Sequence, residues 1–437
     1  SRLMSDVPVV PYVVNSDTPE RTKTTTTTTT NEEALMSEFP VPLGGAKSPT
    51  LLWAHEHDIE HAALQQLRNI AALPWVHGVR VMPDVHLGKG ATVGSVIAME
   101  QAISPSAVGV DIGCGVTAVR TNITESDLER LHDLRLAVEA AIPVGFNGHD
   151  TAVNVRTLGL DRGWAPFWSR FNDLHDGVQQ LESRAQKQMG TLGGGNHFLE
   201  VTVADADKAV WLTLHSGSRN IGKELAERHI AIAKAMPHNQ DMPDRDLAVF
   251  LRDTPEMDAY RRDLEWAQEY ALRSRAVMMG LFKQVFAQHF GADRISFGEV
   301  ISVHHNYVAE EVIDGRPMLV TRKGAIRAGS GELALIPGSM GTGSYVVRGL
   351  GNDASFQSAS HGAGRRLSRN AAKRAFMGED AGATAIAAQL GAIESRRDVG
   401  IVDELPGAYK DLHSVIAAQS ELVEVVAHLQ TVLCVKG

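Results

Sequence analysis

The chain has 437 residues, enough for two or three domains of ordinary size or for one large one. It is 43% apolar and 22% charged, so a sizeable core is possible and global disorder is excluded, and no apolar run of about 18 residues exists to span a membrane. A net charge of −10 argues against indiscriminate nucleic-acid coating but leaves room for a local basic groove; two cysteines, Cys114 and Cys434, cannot make a disulfide framework, so a reducing, cytoplasmic setting is expected.

Taken in chain order, residues 1–37 read as a disordered tail. Thr24 to Thr30 is an unbroken run of threonine inside polar, proline-containing sequence, with no helical or alternating period. The start has no basic stretch followed by an apolar core, so a signal peptide is not expected. The segment HEHDIEH puts His57 and His61 four apart on a possible helix, yet it lacks the His-Glu-x-x-His register, and a solvated helix face is the expectation. Short β-rich runs at Val79–Met82, Val93–Ile97 and Val210–Leu214 end in glycine-rich turns. Ser126 to Glu129 predicts a capping box for a helix carrying Leu128, Leu131, Leu134 and Val138. Residues 145–190 read as a helical insertion and 256–290 as a long helical block. Cys434 sits in the apolar run Val432–Val435 and reads as packing. With no fixed-period repeat and no clean linker, one large α+β domain over 38–437 is expected, with mixed sheets and the helical insertion about 145–190.

The chemistry concentrates in eight segments, glycine-rich except for the His-His-Asn segment 303–308: 82–90, 108–116, 191–200, 214–222, 303–308, 322–329, 336–344 and 358–369. Glycine permits positive φ and close backbone approach, so such loops can wrap a ligand and aim N–H groups at phosphate. Asp111 and Cys114 lie three residues apart in one of these turns. His197, His215 and one of His304 and His305 each sit at or beside a β-like run. Taken singly, the cysteine reads as a small core residue and each histidine as a scaffold group. Taken together they are the residue types that bind transition metals, with a thiolate able to bridge two ions, and they suggest Zn or Mn without choosing.

Arg219, Arg322, Lys323, Arg327, Arg365, Arg366 and Arg369 lie in or beside the glycine loops, which favours phosphate binding. Arg365, Arg369 and Lys373 follow one another at one-turn helical spacing. None of the loops is a Walker A sequence or a dinucleotide fingerprint. A nucleophile is offered by His361, whose small neighbours leave its ring accessible, with Asp84 as a carboxylate able to hold the tautomer. Spacing alone does not choose His361 over His86 or His149.

The eight segments, in this order, resemble those of the RtcB family of RNA ligases, over about residues 50–437 and including the terminal Val435-Lys436-Gly437. The resemblance implies an α+β fold in one catalytic domain, with glycine-rich loops around a central metal and nucleotide cleft. It also implies an activity that joins RNA 3′-phosphate or 2′,3′-cyclic phosphate ends to 5′-hydroxyl ends with GTP and two Mn²⁺ ions, in RNA repair or tRNA splicing. By position, Asp111, Cys114 and His197 match ligands of one manganese, and Cys114, His215 and His305 those of the second. His361 matches the histidine that carries guanylate, and Asp84 its orienting carboxylate. Asn196, Glu200, Ser339, Ser344, Gly362, Gly364 and Lys436 match nucleotide contacts, and Arg219, Arg365 and Arg369 match residues near phosphates or RNA ends. An archease-type activator enters as a partner, and no membrane does. Two rivals remain at this stage. A binuclear phosphoesterase acting on RNA ends would need the metal set but not His361, and a non-catalytic RNA-binding protein would need only basic surface.

Overall fold

The computed structural model describes residues 38–437, and the expected N-terminal tail lies outside the described residues. Glu38–Gly437 forms one compact α+β unit built on two larger sheets. A six-stranded sheet runs in the order Val41–Pro42, Thr50–Leu52, Val76–His86, Val93–Met99, Arg316–Lys323, Asn306–Ile313. A seven-stranded sheet runs Phe297–His304, Gly115–Thr124, Ala209–Ser216, Phe198–Ala204, Val423–Lys436, Ser344–Gly349, Leu333–Pro337. Pairing is antiparallel except between Thr50–Leu52 and Val76–His86. The three β-rich runs of the sequence fall inside the strands Val76–His86, Val93–Met99 and Ala209–Ser216.

The long helical block is the single helix Pro255–Phe290. Thr254 caps it by accepting the Met257 N–H, Pro255 supplies the preset φ of the first turn, and Gly291 follows the last. Its apolar side covers the seven-stranded sheet, where Phe282 and Phe286 pack with Val119, Leu199 and Leu212. Its first half holds the 145–190 region, a set of short helical turns from Val155–Leu158 to Glu182–Gln188, through Phe167 stacked on Trp266 at 4.8 Å. Each such buried aromatic contributes about 1.5–3 kcal/mol over its exposed state. Among the described residues no helix is long and apolar enough to cross a membrane.

Three local expectations need correction. The capping box forms two residues earlier, between Thr124 and Asp127, around a short turn that precedes the helix Leu131–Ala141. Strand Gly115–Thr124 runs on to Thr124, so the cap must sit where that strand ends. His57 and His61 do not share a helix: His57 lies in the turn Glu56–Asp58 and His61 opens His61–Ala71. Arg365 lies before the helix Arg369–Phe376, which starts after the cap Ser368, so only Arg369 and Lys373 keep the one-turn relation.

Topology collects the glycine loops at one place. Antiparallel order makes strands 115–124 and 198–204 begin, and strands 209–216, 297–304 and 423–436 end, at the same edge. Cys114, His197, His215 and Lys436 thereby become neighbours. His305 sits at the crossover, because His304 ends a strand of one sheet and Asn306 begins a strand of the other. Its N–H donates to Cys114 O at 2.8 Å, tying the two sheets at that point.

Candidate active site

Two groups of side chains in this corner can each hold a metal ion: Asp111, Cys114 and His197, and Cys114, His215 and His305, the ligating atoms within 4.8 Å in each. Cys114 belongs to both. His197 Nδ1 donates to Leu192 O at 2.9 Å and His215 Nδ1 to Asn196 O at 3.3 Å, which fixes both tautomers and leaves each Nε2 lone pair facing inward. His197 Nε2 is 3.0 Å from Asp111 Oδ2. His215 Nε2 is 3.2 Å from Cys114 Sγ and 3.2 Å from His305 Nε2. Imidazole, thiol and carboxylate atoms converge there, and among the described residues no partner outside the cluster holds a proton on His305 Nδ1, an arrangement that a cation satisfies.

Electrostatics point the same way. Burial and the neighbouring histidines push His215 and His305 well below the usual imidazole range, so both are neutral and able to ligate. Burial and the Asp111 charge push the Cys114 thiol well up, so a thiolate there needs a nearby positive charge. Burial would raise Asp111, but its interaction with the adjoining His197 outweighs this and holds it at about 2. The donor set of carboxylate, thiol and imidazole therefore fits a pair of divalent cations. His304 is turned away, with Nδ1 at 2.9 Å from Gly113 O, which decides between the two adjacent histidines.

Beside this cluster stands His361, its ring centroid 4.8 Å from that of His305. It follows the short strand Ser358–Ser360, which pairs with Ala325–Arg327. Its Nδ1 donates to Asp84 Oδ2 at 2.7 Å, and the Gly362 N–H donates to the same oxygen at 3.2 Å. Asp84 is fully buried, with Oδ1 lacking a partner. Gly364 allows this approach: its φ is +76°, and a Cβ there would lie 2.4 Å from Asp84 O. His86 shares the cleft but turns Nδ1 to Asp84 O, and burial pushes it below the usual range. His149 bonds Gly190 O and does not line the cleft.

The cleft holds about 280 Å³ and is lined by Cys114, His215, His305, His361, Asn196, Phe198, Gly362, Gly364, Arg365, Arg369 and Lys436, among others. Glu200, Ser339, Ser344 and Arg219 are not among its lining residues. Glu200 is buried beneath it, beside Cys434, and burial, opposed by the Lys436 charge, pushes it up to about 7. Ser339 is tied to Thr342 within its loop, and Ser344 is buried at the start of its strand. Arg219 spans two loops, donating to Thr191 Oγ1 at 3.0 Å and Gly145 O at 2.6 Å.

Two site residues escaped the sequence. Arg275, fully buried on the long helix, donates to Gly113 O at 2.6 Å and Ser216 O at 3.1 Å and so clamps the loops bearing Cys114 and His215. An arginine in a helix rich in Arg carries no signal of this. Glu404 is a buried carboxylate that gathers Arg365 at 3.1 Å, Lys436 at 3.2 Å, Arg369 and the Tyr409 hydroxyl. It lies outside the glycine loops, so no motif marked it.

An α+β scaffold with a shared-thiol metal corner and a carboxylate-held histidine in one cleft defines a class of site, and comparison with known proteins supplies the family. The family profile described as tRNA-splicing ligase RtcB matches residues 66–437. RNA-splicing ligase RtcB1 of Escherichia coli strain ATCC 25922 and RNA-splicing ligase RtcB of Escherichia coli strain K12 are each 43% identical over 410 residues, covering 89% of this chain and 98% of theirs. The tRNA-splicing ligase RtcB of Aeropyrum pernix is 32% identical over 462 aligned residues, covering 89% of this chain and 95% of its own. The chain belongs to the RtcB family.

Proposed function

We propose that this chain is an RNA ligase that joins 3′-phosphate or 2′,3′-cyclic phosphate ends to 5′-hydroxyl ends, using GTP and a pair of Mn²⁺ ions, through a guanylate carried on His361. The observation that carries the proposal is the His361–Asp84 pair at 2.7 Å standing directly against the metal-capable corner. Asp84 retains the Nδ1 proton, so Nε2 is the unprotonated, nucleophilic nitrogen. His361 Nε2 attacks the α-phosphorus of GTP; an N–P bond forms, the bond to the bridging oxygen breaks, and pyrophosphate leaves. The guanylate then passes to the RNA 3′-phosphate and frees His361. The 5′-hydroxyl finally attacks that activated phosphorus and GMP departs. A cyclic end is opened by water before the transfer.

Asp111, Cys114 and His197 would hold one ion and Cys114, His215 and His305 the other. When bound, such a pair neutralises charge on phosphate oxygens during each displacement. Lys436, kept cationic by Glu404, and Asn196 are the polar groups for the guanylate, with Glu200 behind them for the base. Arg365 and Arg369 face the same cleft and supply cations for RNA phosphates. A reducing compartment keeps Cys114 available as a thiol, and an archease-type protein is a candidate activator for turnover.

The test is a ligation assay on an RNA pair bearing 3′-phosphate and 5′-hydroxyl ends. Joined product that needs both GTP and Mn²⁺ is expected. Hydrolysis of the end with no joined product would instead identify a phosphoesterase.

A further inference from the structure

The chemistry above leaves the rim of the cleft without an assignment. Phe146 is 94% exposed, the most exposed of the large apolar side chains among the described residues. Its loop is nevertheless pinned: Gly145 N–H donates to Gly193 O at 2.7 Å, Arg219 holds Gly145 O, and His149 N–H donates to Lys187 O at 2.8 Å. An exposed phenyl ring on a fixed loop is a presented surface. Gly193 leads through Gly194 and Gly195 to Asn196, which lines the cleft. A Cβ on Gly195 would come within 3.2 Å of Arg369 Nη2, so that arginine is the next side chain along the rim.

Arg369 opens the helix Arg369–Phe376, which buries Ala372 and leaves Lys373 and Arg374 exposed. Arg366 is exposed too, with Nη2 donating to Gly407 O at 3.1 Å, on the turn against which Phe376 packs. Arg366 and Arg374 form no ion pair among the described residues, and Lys373 reaches Asp403 only at 3.8 Å. In a chain of net charge −10, an exposed aromatic ring and a group of exposed cations with little neutralisation are thus joined to the cleft lining, the ring through Gly145–Gly193 and the Gly193–Asn196 turn, the cations through Arg369.

We propose that this rim is the entry track for single-stranded RNA, a base stacking on Phe146 while phosphates of flanking nucleotides lie against Arg366, Lys373 and Arg374. Single strands are held by such a pairing of stacking faces with a cationic path, because each base offers a π-face and each linkage a charge. The track rests on the proposed ligase activity, since it serves an RNA end that must reach His361. It adds a contact surface outside the reacting groups.

The test measures binding of a 3′-phosphate RNA oligonucleotide to the full chain by fluorescence anisotropy across a salt series, alongside guanylate labelling from GTP. Phe146→Ala is expected to weaken RNA binding by about 5- to 150-fold, the range for loss of one stacked base, with Phe146→Trp restoring it. The combined variant Arg366→Gln, Lys373→Gln, Arg374→Gln is expected to lower the slope of log affinity against log salt by about 2, for three lost single-strand phosphate contacts. Guanylate labelling stays unchanged in all of them, because none of these residues serves the reacting centre. RNA affinity and salt slope equal to those of the unaltered chain would overturn the track and leave the rim to a protein partner. Weakening by Phe146→Ala that Phe146→Trp does not reverse would overturn the stacking. If the unaltered chain binds RNA through the rim yet takes no guanylate and joins no ends, the ligase proposal fails while the track stands.

Discussion

Asp84→Asn isolates the role of the carboxylate that holds His361. Asp84 Oδ2 accepts two N–H groups, from His361 Nδ1 at 2.7 Å and Gly362 at 3.2 Å, and Oδ1 is buried without a partner. An asparagine that keeps its oxygen on those two donors must put its NH₂ at the partnerless position, so the favoured rotamer retains the geometry and loses the charge. A hydrogen bond to a charged group contributes about 1.5–3 kcal/mol, which converts to about 10- to 150-fold. The flipped rotamer would aim NH₂ at Nδ1, force the proton onto Nε2 and abolish attack altogether. Guanylate formation on the enzyme, followed by rapid quench with labelled GTP, should therefore slow at least about tenfold. Metal content should hold, because Asp84 lies outside both metal-capable groups. A rate within about threefold of the unaltered chain, under 1 kcal/mol, would refute the reasoning, as would a loss that tracks metal content.

Three further outcomes follow from the same geometry. Glu200 is pushed by burial up to about 7, above the ordinary 4.5, so its raised value favours the folded state below pH 4.5 and that contribution fades as pH rises through about 7. Only the ionised form can accept two guanine N–H groups at once, so GTP affinity should fall by up to about tenfold per unit below pH 7 relative to Glu200→Gln, and parallel titrations of the two would dismiss a base contact. Arg275→Met removes the guanidinium that ties Gly113 O to Ser216 O, leaving Gly113 O with His304 alone, at about 1–3 kcal/mol for the lost bonds, and should lower both the urea midpoint and metal affinity; unchanged values would deny the clamp. A thiol and imidazole site binds Zn²⁺ more tightly than Mn²⁺, so Zn²⁺ should displace Mn²⁺ and inhibit joining, and full ligation on Zn²⁺ alone would contradict that.

Much of the site was legible because it is written in local sequence. Glycine turns beside β-like runs marked Asp111, Cys114, His197, His215 and His361; strand ends at a common sheet edge bring Cys114, His197 and His215 together, and the separate strand pair Ala325–Arg327 and Ser358–Ser360 brings in His361. The residues alone left His304 and His305 open and only the family resemblance pointed to His305; the physical reason is the crossover between sheets, a long-range feature with no local signature. The capping box was misplaced because Ser126–Glu129 satisfies the local pattern as well as Thr124–Asp127 does, and only the end of strand Gly115–Thr124 decides between them. The same limit applies to Arg365, which periodicity joined to a helix that Ser368 caps three residues later. Arg275 and Glu404 were silent because their roles depend on burial against charged and backbone partners more than 30 residues away in the chain, Gly113 and Ser216 for the first and Arg365, Arg369 and Lys436 for the second. Phe146 stands out only by its exposure, which sequence does not report.

The most direct measurement is mass spectrometry of the intact chain and of its peptides after incubation with GTP and Mn²⁺. One guanylate on the peptide carrying His361, absent in His361→Ala and absent without the metal, is the expected result. Guanylate that persists in His361→Ala, or that resides on another residue, would contradict it.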